Sequence, residues 1–456
     1  MNKSGISDFI FYLTLLFLPT QLGRHFWPEF SYVYGARVDY LSPTIYLTDI
    51  LIGVLFIAWL FPYFAIQNSK FKIQNYRSKF KNNSLLIFLF LFLIIGIVFS
   101  KNQLAGWYGL LKFLEFLFFG YYIATTITLK KLRIITAIFS IGVFYESIIA
   151  IFQYINQSSA GGLLYLLGER NFNAQTPGIA NTRINGELIL RPYGTLPHPN
   201  VLAAYFLISL TLIFNFQFSI FNKISIFNLK KFFFITTVII GSVGLFLTMS
   251  RVAIFLWFLI LGYYFVFYLK KTFNNKNAIG LLGVLFIGSI GIYFLSPLSS
   301  RFFDLNLTDE SFVQRKELVQ ASFLMIKANP FFGVGLNNFL PNLSDFYDFH
   351  ASSFFTYLQP VHNIYLLIAA QTGIIGFSFF VWFLWKTILG IKNKELGIRG
   401  NFAIIHNSKF LILVTVLVLG LFDHYFLTLQ QGQLLFSFIL GLCFSNIDGI
   451  IKKRIK

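Results

Sequence analysis

Residues Gln359 to Gly376 read QPVHNIYLLIAAQTGIIG, with a proline, a histidine and an asparagine at the mouth of an apolar run over 361–385. Proline is tolerated in the first turn of a helix, where its missing N–H would have no intrahelical partner. Pro360 therefore predicts a helix entry, with His362 in the first turn. An imidazole there can reach water and headgroups while the rest of its helix is buried in lipid. Its unperturbed pKa of about 6.5 suits proton transfer near neutral pH. Read alone, the histidine is equally well a polar residue at a helix cap, so the remaining stretches decide.

The composition is that of a membrane protein. Of the 456 residues, 56% are hydrophobic, 20% aromatic and only 12% charged, and the mean hydropathy is +0.70. Apolar runs of about 20 residues, each long enough for a hydrocarbon core of roughly 30 Å, predict an all-α polytopic fold. Twelve such runs are read, over 6–22, 43–62, 84–100, 106–128, 133–154, 198–219, 232–249, 252–269, 278–296, 361–385, 403–422 and 429–447. The first resembles a signal peptide, but no small-x-small cleavage site follows closely, so it is read as a retained span. The one cysteine, Cys443, has no intrachain partner, which excludes disulfides and thiolate metal centres.

The net charge of +19 would suggest nucleic acid in a soluble protein. Here it is a topology signal. Most of the 36 basic residues fall in alternate connections, among them Lys70, Lys72, Arg77, Lys79, Lys81, Lys130, Lys131, Arg133, Lys223, Lys386, Arg399 and the tail Lys452, Lys453, Arg454 and Lys456. The opposite connections carry fewer, roughly balanced by acids such as Glu169, Glu187, Asp304 and Asp423. The positive-inside rule then puts both termini in the cytoplasm, with the excess charge facing the anionic inner leaflet. Nucleic acid is not a predicted partner; membrane lipids are.

The whole chain, 1–456, reads as one integral membrane domain with two long outer connections. The first, 156–197, is mostly loop with a short apolar piece at Leu163 to Leu167. The second, 296–360, contains a predicted amphipathic helix that starts near Asp309 and Glu310 and ends at Asn329-Pro330. Phe312, Val319, Phe323 and Ile326 are expected on its buried face, and Arg315 with them. Elaborated loops on one side place the function there.

Polar residues beyond what spanning requires occur in five outer stretches: RPYGTLPHPNVLAAY (191–205), TMSR (248–251), RKELVQASFLMIKANPFFGVGLNNF (315–339), the opening histidine stretch, and more weakly DHYFLTLQQGQ (423–433). An arginine such as Arg251 between two spans must sit at the interface or face the bundle interior, because exposure to lipid costs several kcal/mol. Read as chemistry, these stretches give a base surrounded by guanidinium groups at the headgroup plane. Guanidinium pairs bidentately with phosphate, which suits a lipid-linked diphosphate. There is no DxD, no His/Cys cluster with metal spacing, no phosphate-binding glycine loop and no GxSxG. The reading therefore expects no metal and no cofactor, with arginines stabilising a diphosphate leaving group.

Taken in order, these motifs resemble the O-antigen ligase and polymerase family over about Arg191 to Gly441. The resemblance implies an inverting, metal-independent glycosyltransferase of the multi-spanning GT-C-like kind with its site facing the periplasm or exterior of a bacterial inner membrane. Its donor would be a glycan on undecaprenyl diphosphate. Carried over residue by residue, His362 would be the general base, with Arg251 and Arg315, and more loosely Arg191, binding the diphosphate. Asp423 is a further candidate, and His198 receives no catalytic role. The acceptor would decide among a ligase acting on lipid A core, a polymerase acting on another lipid-linked unit, and a protein O-oligosaccharyltransferase, with a slight preference for the ligase.

A transporter or flippase for a lipid-linked substrate is the reading from another class. Against it stand the absence of internal repeats and the mostly clean apolar runs. Lys112 and Glu115, three residues apart and able to pair on one helix face, and Glu146 are the exceptions. If the enzyme reading holds, His362, Arg251 and Arg315 should converge on one outward-facing cavity.

Overall fold

The computed structural model describes residues 3–65, 84–184, 186–221, 229–271, 276–303, 310–347, 358–395 and 402–445. Many of the basic connections, including Lys70 to Lys81, Lys223, Arg399 and the tail, lie outside these residues, as do Asp304 and Asp309. The fold is mostly helical. Its longer helices are α1 (Lys3–Leu16), α2 (Leu47–Ala65), α3 (Ser84–Val98), α4 (Gln103–Thr126), α5 (Leu129–Asn156), α6 (Pro199–Phe221), α7 (Leu229–Leu247), α8 (Arg251–Lys271), α9 (Lys276–Leu295), α10 (Glu310–Ala328), α11 (Phe339–Phe346), α12 (Ile364–Glu395), α13 (Phe402–Leu419) and α14 (Gln430–Phe444). Each of the twelve apolar runs coincides with one of these helices. Among the described residues, two stretches, Leu129–Asn156 and Ile364–Ile391, are long and apolar enough to cross a membrane.

The apolar residues of α1, α2, α4 to α8, α13 and α14 form one continuous core, with Trp257, Tyr205, Phe206 and Phe139 fully buried in it. One cluster of buried charge in this bundle is paired, which offsets the cost of an isolated buried ion. Lys112 Nζ lies 2.6 Å from Asp49 Oδ2 and 3.2 Å from Glu115 Oε2, and it donates to Gln430 Oε1 at 3.2 Å. Gln430 in turn donates to Asp49. The pairing of Lys112 with Glu115 expected from spacing is present, within a cluster that ties α2, α4 and α14 together.

At one end of the bundle the alternate connections meet. Thr195 donates to Pro19 O at 3.1 Å, Asn102 Nδ2 to Phe30 O at 2.9 Å, and Arg191 Nε to Thr248 O at 2.9 Å. The same end carries short antiparallel strand pairs that the all-α expectation omitted: β1 (Gly23–His25) with β4 (Thr44–Tyr46), β2 (Tyr32–Val33) with β3 (Ala36–Arg37), and β5 (Asn181–Ile184) with β6 (Glu187–Leu190). Their two- to four-residue lengths leave no periodicity to read in the sequence. A 3-10 turn, Gly162–Leu167, occupies the short apolar piece of the first long connection. A second, smaller core joins this end, with Val33, Val38 and Leu41 packed against Leu318, Met325, Phe339, Leu343 and Leu367.

Helix α10 matches the expected span, but its buried face is displaced. Leu318, Ala321, Ser322 and Met325 are inside, while Phe312 and Phe323 are 45% and 57% exposed. The spacing of three, one and three along Leu318, Ala321, Ser322 and Met325 is a helical stripe; Val319 and Ile326 flank it, partly buried against the same core as expected, and the two phenylalanines fall outside it. Arg315 lies three residues before Leu318 and seven before Ser322, on the extension of that stripe past the point where the helix is covered, and it is exposed.

After α10 the segment 329–338 enters a break in α12. At Gly373 the backbone turns to φ 62°, ψ −170°, a conformation essentially restricted to glycine. The break frees main-chain groups on both sides of Gly373, and the segment supplies their partners. Val334 N donates to Ala370 O at 2.9 Å, Gly335 N to Gln371 O at 3.0 Å, and Ile374 N to Pro330 O at 2.7 Å. A Cβ on Gly373 would lie 2.3 Å from the Phe331 carbonyl, and one on Gly333 2.4 Å from Gln371 C. Beyond the joint, fully buried Asn338 accepts from Asn102 N at 2.7 Å and donates back to Asn102 O at 2.9 Å. NPFFGVGLNN is thus a splice that fixes the arm carrying Arg315 to the helix that begins beside His362.

Candidate functional site

The entry of α12 differs from the expectation by one turn. Asn363 Oδ1 accepts from the amides of Tyr365 and Leu366, each at 2.9 Å, so asparagine is the cap and the helix begins at Ile364. His362 precedes the first turn. Ile364 N donates to Gly420 O at 2.8 Å and Asn363 Nδ2 to Leu421 O at 3.1 Å, which seats the histidine beside the end of α13 and the residues that follow it.

Those residues include Asp423 and His424. The His362 and His424 rings lie 5.0 Å apart, edge to face. His362, Asp423 and His424 each offer a ligand atom within 4.8 Å of the others. The three are therefore close enough to hold a metal ion, an arrangement that spacing in the sequence did not disclose. His362 Nδ1 is buried with no hydrogen-bond partner among the described residues. His424 is fixed by Nδ1 against Thr428 Oγ1 at 2.7 Å and by the Tyr40 ring at 5.4 Å.

A hydrogen-bonded line enters from the opposite side. Asp423 Oδ2 accepts from Asn200 Nδ2 at 2.9 Å, and Asn200 Oδ1 accepts from Arg191 Nη2 at 2.7 Å. Asp423 Oδ1 accepts from the His424 amide at 2.8 Å. Arg191 is 6% exposed, and its Nε is committed to Thr248 O. This carbonyl belongs to the turn that carries Ser250 and Arg251 into α8. Arg251 Nε donates to Arg301 O at 2.8 Å, so Arg251 is bonded directly to Arg301, whose charge acts on Arg191. Below these residues, the carboxylate of Glu146 accepts from the Thr195 amide at 3.0 Å and from its hydroxyl, which holds the 191–198 loop down on α5.

Burial sets the charge state of this centre. It pushes His362 down to about 3 against the pull of Asp423, with His424 and Arg315 acting in the same direction as burial. Burial also lowers His424 to about 4 and His198 to about 3. Asp423 is pushed up by burial, but its three histidine neighbours and Asn200 outweigh that and bring it down to about 2. Near neutral pH the histidines are therefore neutral and Asp423 is a carboxylate. Arg191 is pushed well below its usual value by burial and by the charges of Arg301 and Arg315.

The predicted residues thus fall into groups. His362 and Asp423 come together, and Arg191 joins them through Asn200. Arg315 acts on His362, His424 and Arg191 by its charge. Arg251 stands beside Arg301. A cavity of about 510 Å³ lies beside the α12 joint, lined by Phe99, Lys101, Asn329, Phe332, Gly333 and Val334 among others. His424, Asn200 and Arg301 received no role from the sequence, although His424 and Asn200 fall in the polar stretches it singled out.

Residues 236–381 match the model of the O-antigen ligase family. The match bears out the resemblance carried by the TMSR, NPFFGVGLNNF and VHNIYLL motifs, and it includes Arg251, Arg315 and His362. It leaves Arg191, Asn200, Asp423 and His424 outside its limits. No curated protein matches the chain.

Proposed function

From the premise that this chain belongs to the O-antigen ligase family through residues 236–381, we propose that it is a ligase-like glycosyltransferase of cell-surface polysaccharide assembly. In this reading all twelve apolar helices cross the bacterial inner membrane, both termini are cytoplasmic, and the site faces the periplasm or exterior. The enzyme transfers a glycan from undecaprenyl diphosphate to an acceptor hydroxyl such as that of lipid A core. Polymerase and protein-acceptor activities differ from this only in the acceptor.

The observation that carries the reading is the unpartnered, buried Nδ1 of a neutral His362 beside a carboxylate, within the field of Arg315 and Arg191. His362 takes the proton of the acceptor hydroxyl. The oxygen forms a bond to the anomeric carbon from the face opposite the leaving group, and the sugar's bond to the diphosphate oxygen breaks with its electron pair. Arg251, Arg315 and Arg191 offset the charge that develops on the departing diphosphate, a role fixed cations perform better in a desolvated site than in water. Before reaction the arriving diphosphate's negative charge raises His362 from about 3 toward the range useful for a base. Asp423 favours the imidazolium that forms.

The test uses purified full-length protein in detergent, an undecaprenyl-diphosphate oligosaccharide, and lipid A core or repeat-unit acceptors in separate reactions. A mass increase on lipid A core is expected. A ladder of lengthened lipid-linked glycans would instead make the protein a polymerase, and no transfer by folded protein to either would favour a protein acceptor or a transporter. His362→Ala should lower transfer by about 10²- to 10⁴-fold, the usual contribution of a general base. Full activity in that variant would remove His362 from the mechanism.

A further inference from the structure

Asn200 is the second residue of α6, half-buried, and its side chain makes two bonds of opposite sense. Its amide donates to Asp423 Oδ2 and its carbonyl accepts from Arg191 Nη2. The orientation of the amide is therefore fixed at both ends, since reversing it would set two donors against each other and two acceptors against each other. Its own backbone amide is held by His198 Nδ1 at 3.1 Å. Arg191 is anchored independently at Thr248 O, so the line Thr248–Arg191–Asn200–Asp423 runs from the turn before α8 to the carboxylate beside His362. We propose that Asn200, held by Arg191, is a positioning residue that sets the Asp423 carboxylate against the His362–His424 pair. This rests on the base assignment above, and it gives Arg191 a second task as the brace of that amide.

A carboxylate held by an oriented donor presents a fixed oxygen to its neighbour, whereas an unheld one rotates about χ2, a broad torsion. Misplacement by about 1 Å can cost roughly 10²-fold in rate. Several groups act on this centre. Asp423 faces His362, His424 and His198; Arg315 faces His362, His424, His198 and Arg191; Arg191 faces His198 and Arg301; and Tyr40 faces Asp423 and Arg170. Of these contacts, removal of the Asn200 amide directly breaks the bonds to Asp423 and Arg191 only. With its Asn200 donor gone, Asp423 keeps only the His424 amide on Oδ1, so Oδ2 is no longer set from α6.

The experiment measures kcat, KM and thermal unfolding in detergent for Asn200→Ala, Asn200→Asp and the exchange variant Asn200→Asp with Asp423→Asn. Asn200→Ala should lower kcat about 10- to 100-fold with KM little changed. The exchange variant rebuilds the line in reverse, since a carboxylate introduced by Asn200→Asp can accept from both Arg191 and the new amide that Asp423→Asn supplies. It should regain thermal stability relative to Asn200→Asp alone but not activity, because the carboxylate is no longer next to His362. Wild-type kcat in Asn200→Ala would overturn the proposal, as would recovery of activity in the exchange variant. His362→Ala in the same assay separates the two levels: if it is active, the base assignment fails whatever Asn200 does.

Discussion

Gly373→Ala tests whether the splice between the 329–338 segment and α12 holds the site together. An alanine in the φ/ψ region of Gly373 costs about 1–3 kcal/mol in backbone strain. Its Cβ would also lie 2.3 Å from both the carbon and the oxygen of the Phe331 carbonyl and 2.7 Å from Phe332 N, so the segment must retreat. Retreat breaks the bonds of Val334, Gly335 and Ile374 to their carbonyls, each worth about 0.5–1.5 kcal/mol net. The combined effect is about 3–7 kcal/mol, concentrated in a joint made by three main-chain bonds. The joint should therefore open while the surrounding helices persist. Hydrogen exchange followed by mass spectrometry should show the amides of Val334, Gly335 and Ile374 exchanging at least about a hundredfold faster, each factor of ten corresponding to about 1.4 kcal/mol. Glycan transfer should fall with them, because Arg315 is no longer held in register with His362. Gly390→Ala is the control: nothing lies within 4 Å of its added Cβ, and alanine in a helix interior is worth about 0.5–1 kcal/mol over glycine. Wild-type protection at the three amides together with wild-type transfer in Gly373→Ala would refute the reasoning.

Three further outcomes are expected. Arg251→Lys keeps the charge but loses the planar fork, and should lower transfer at least about tenfold without lowering thermal stability; a near-normal rate would make Arg251 an anchor of the α7–α8 turn. Transfer should be insensitive to EDTA, and loss of activity restored by a divalent ion would instead assign the His362, Asp423 and His424 ligand atoms, which lie within 4.8 Å of one another, to a metal. Lys112→Met leaves Asp49 and Glu115 without their shared cation and should destabilise the folded protein by about 3–5 kcal/mol in detergent unfolding, with Lys112→Met/Asp49→Asn recovering part of the loss.

The helices were legible because apolar runs of this length have few other uses, and all twelve coincide with helices. The site was legible where a residue is unusual for its surroundings. His362 at the mouth of a helix and Arg251 between two helices are costly placements that invite a reason. Asn200 was not, because asparagine near a helix start is the ordinary capping choice, and its two long-range partners stand 9 and 223 residues away. The buried face of α10 was only partly legible because phenylalanine was taken for the inside residue, whereas the stripe that packs is Leu318, Ala321, Ser322 and Met325. The break in α12 was hidden as well. Gln371-Thr372-Gly373 reads as a weak interruption within a long apolar run, and its significance lies in a second segment about 40 residues earlier that supplies the missing donors.

The splice at Gly373 has a consequence for how such sequences drift. It is closed by main-chain amides and carbonyls, so its bonds themselves ask for no particular side chain, while no Cβ can be added at Gly333, Gly335 or Gly373 without a clash. The stretch between its two halves can lengthen or shorten without touching either. Distant kin of this chain should then share little lettering here beyond a few glycines, and a comparison that scores charged residues or overall likeness will pass over the feature that keeps the arm and the histidine helix in step.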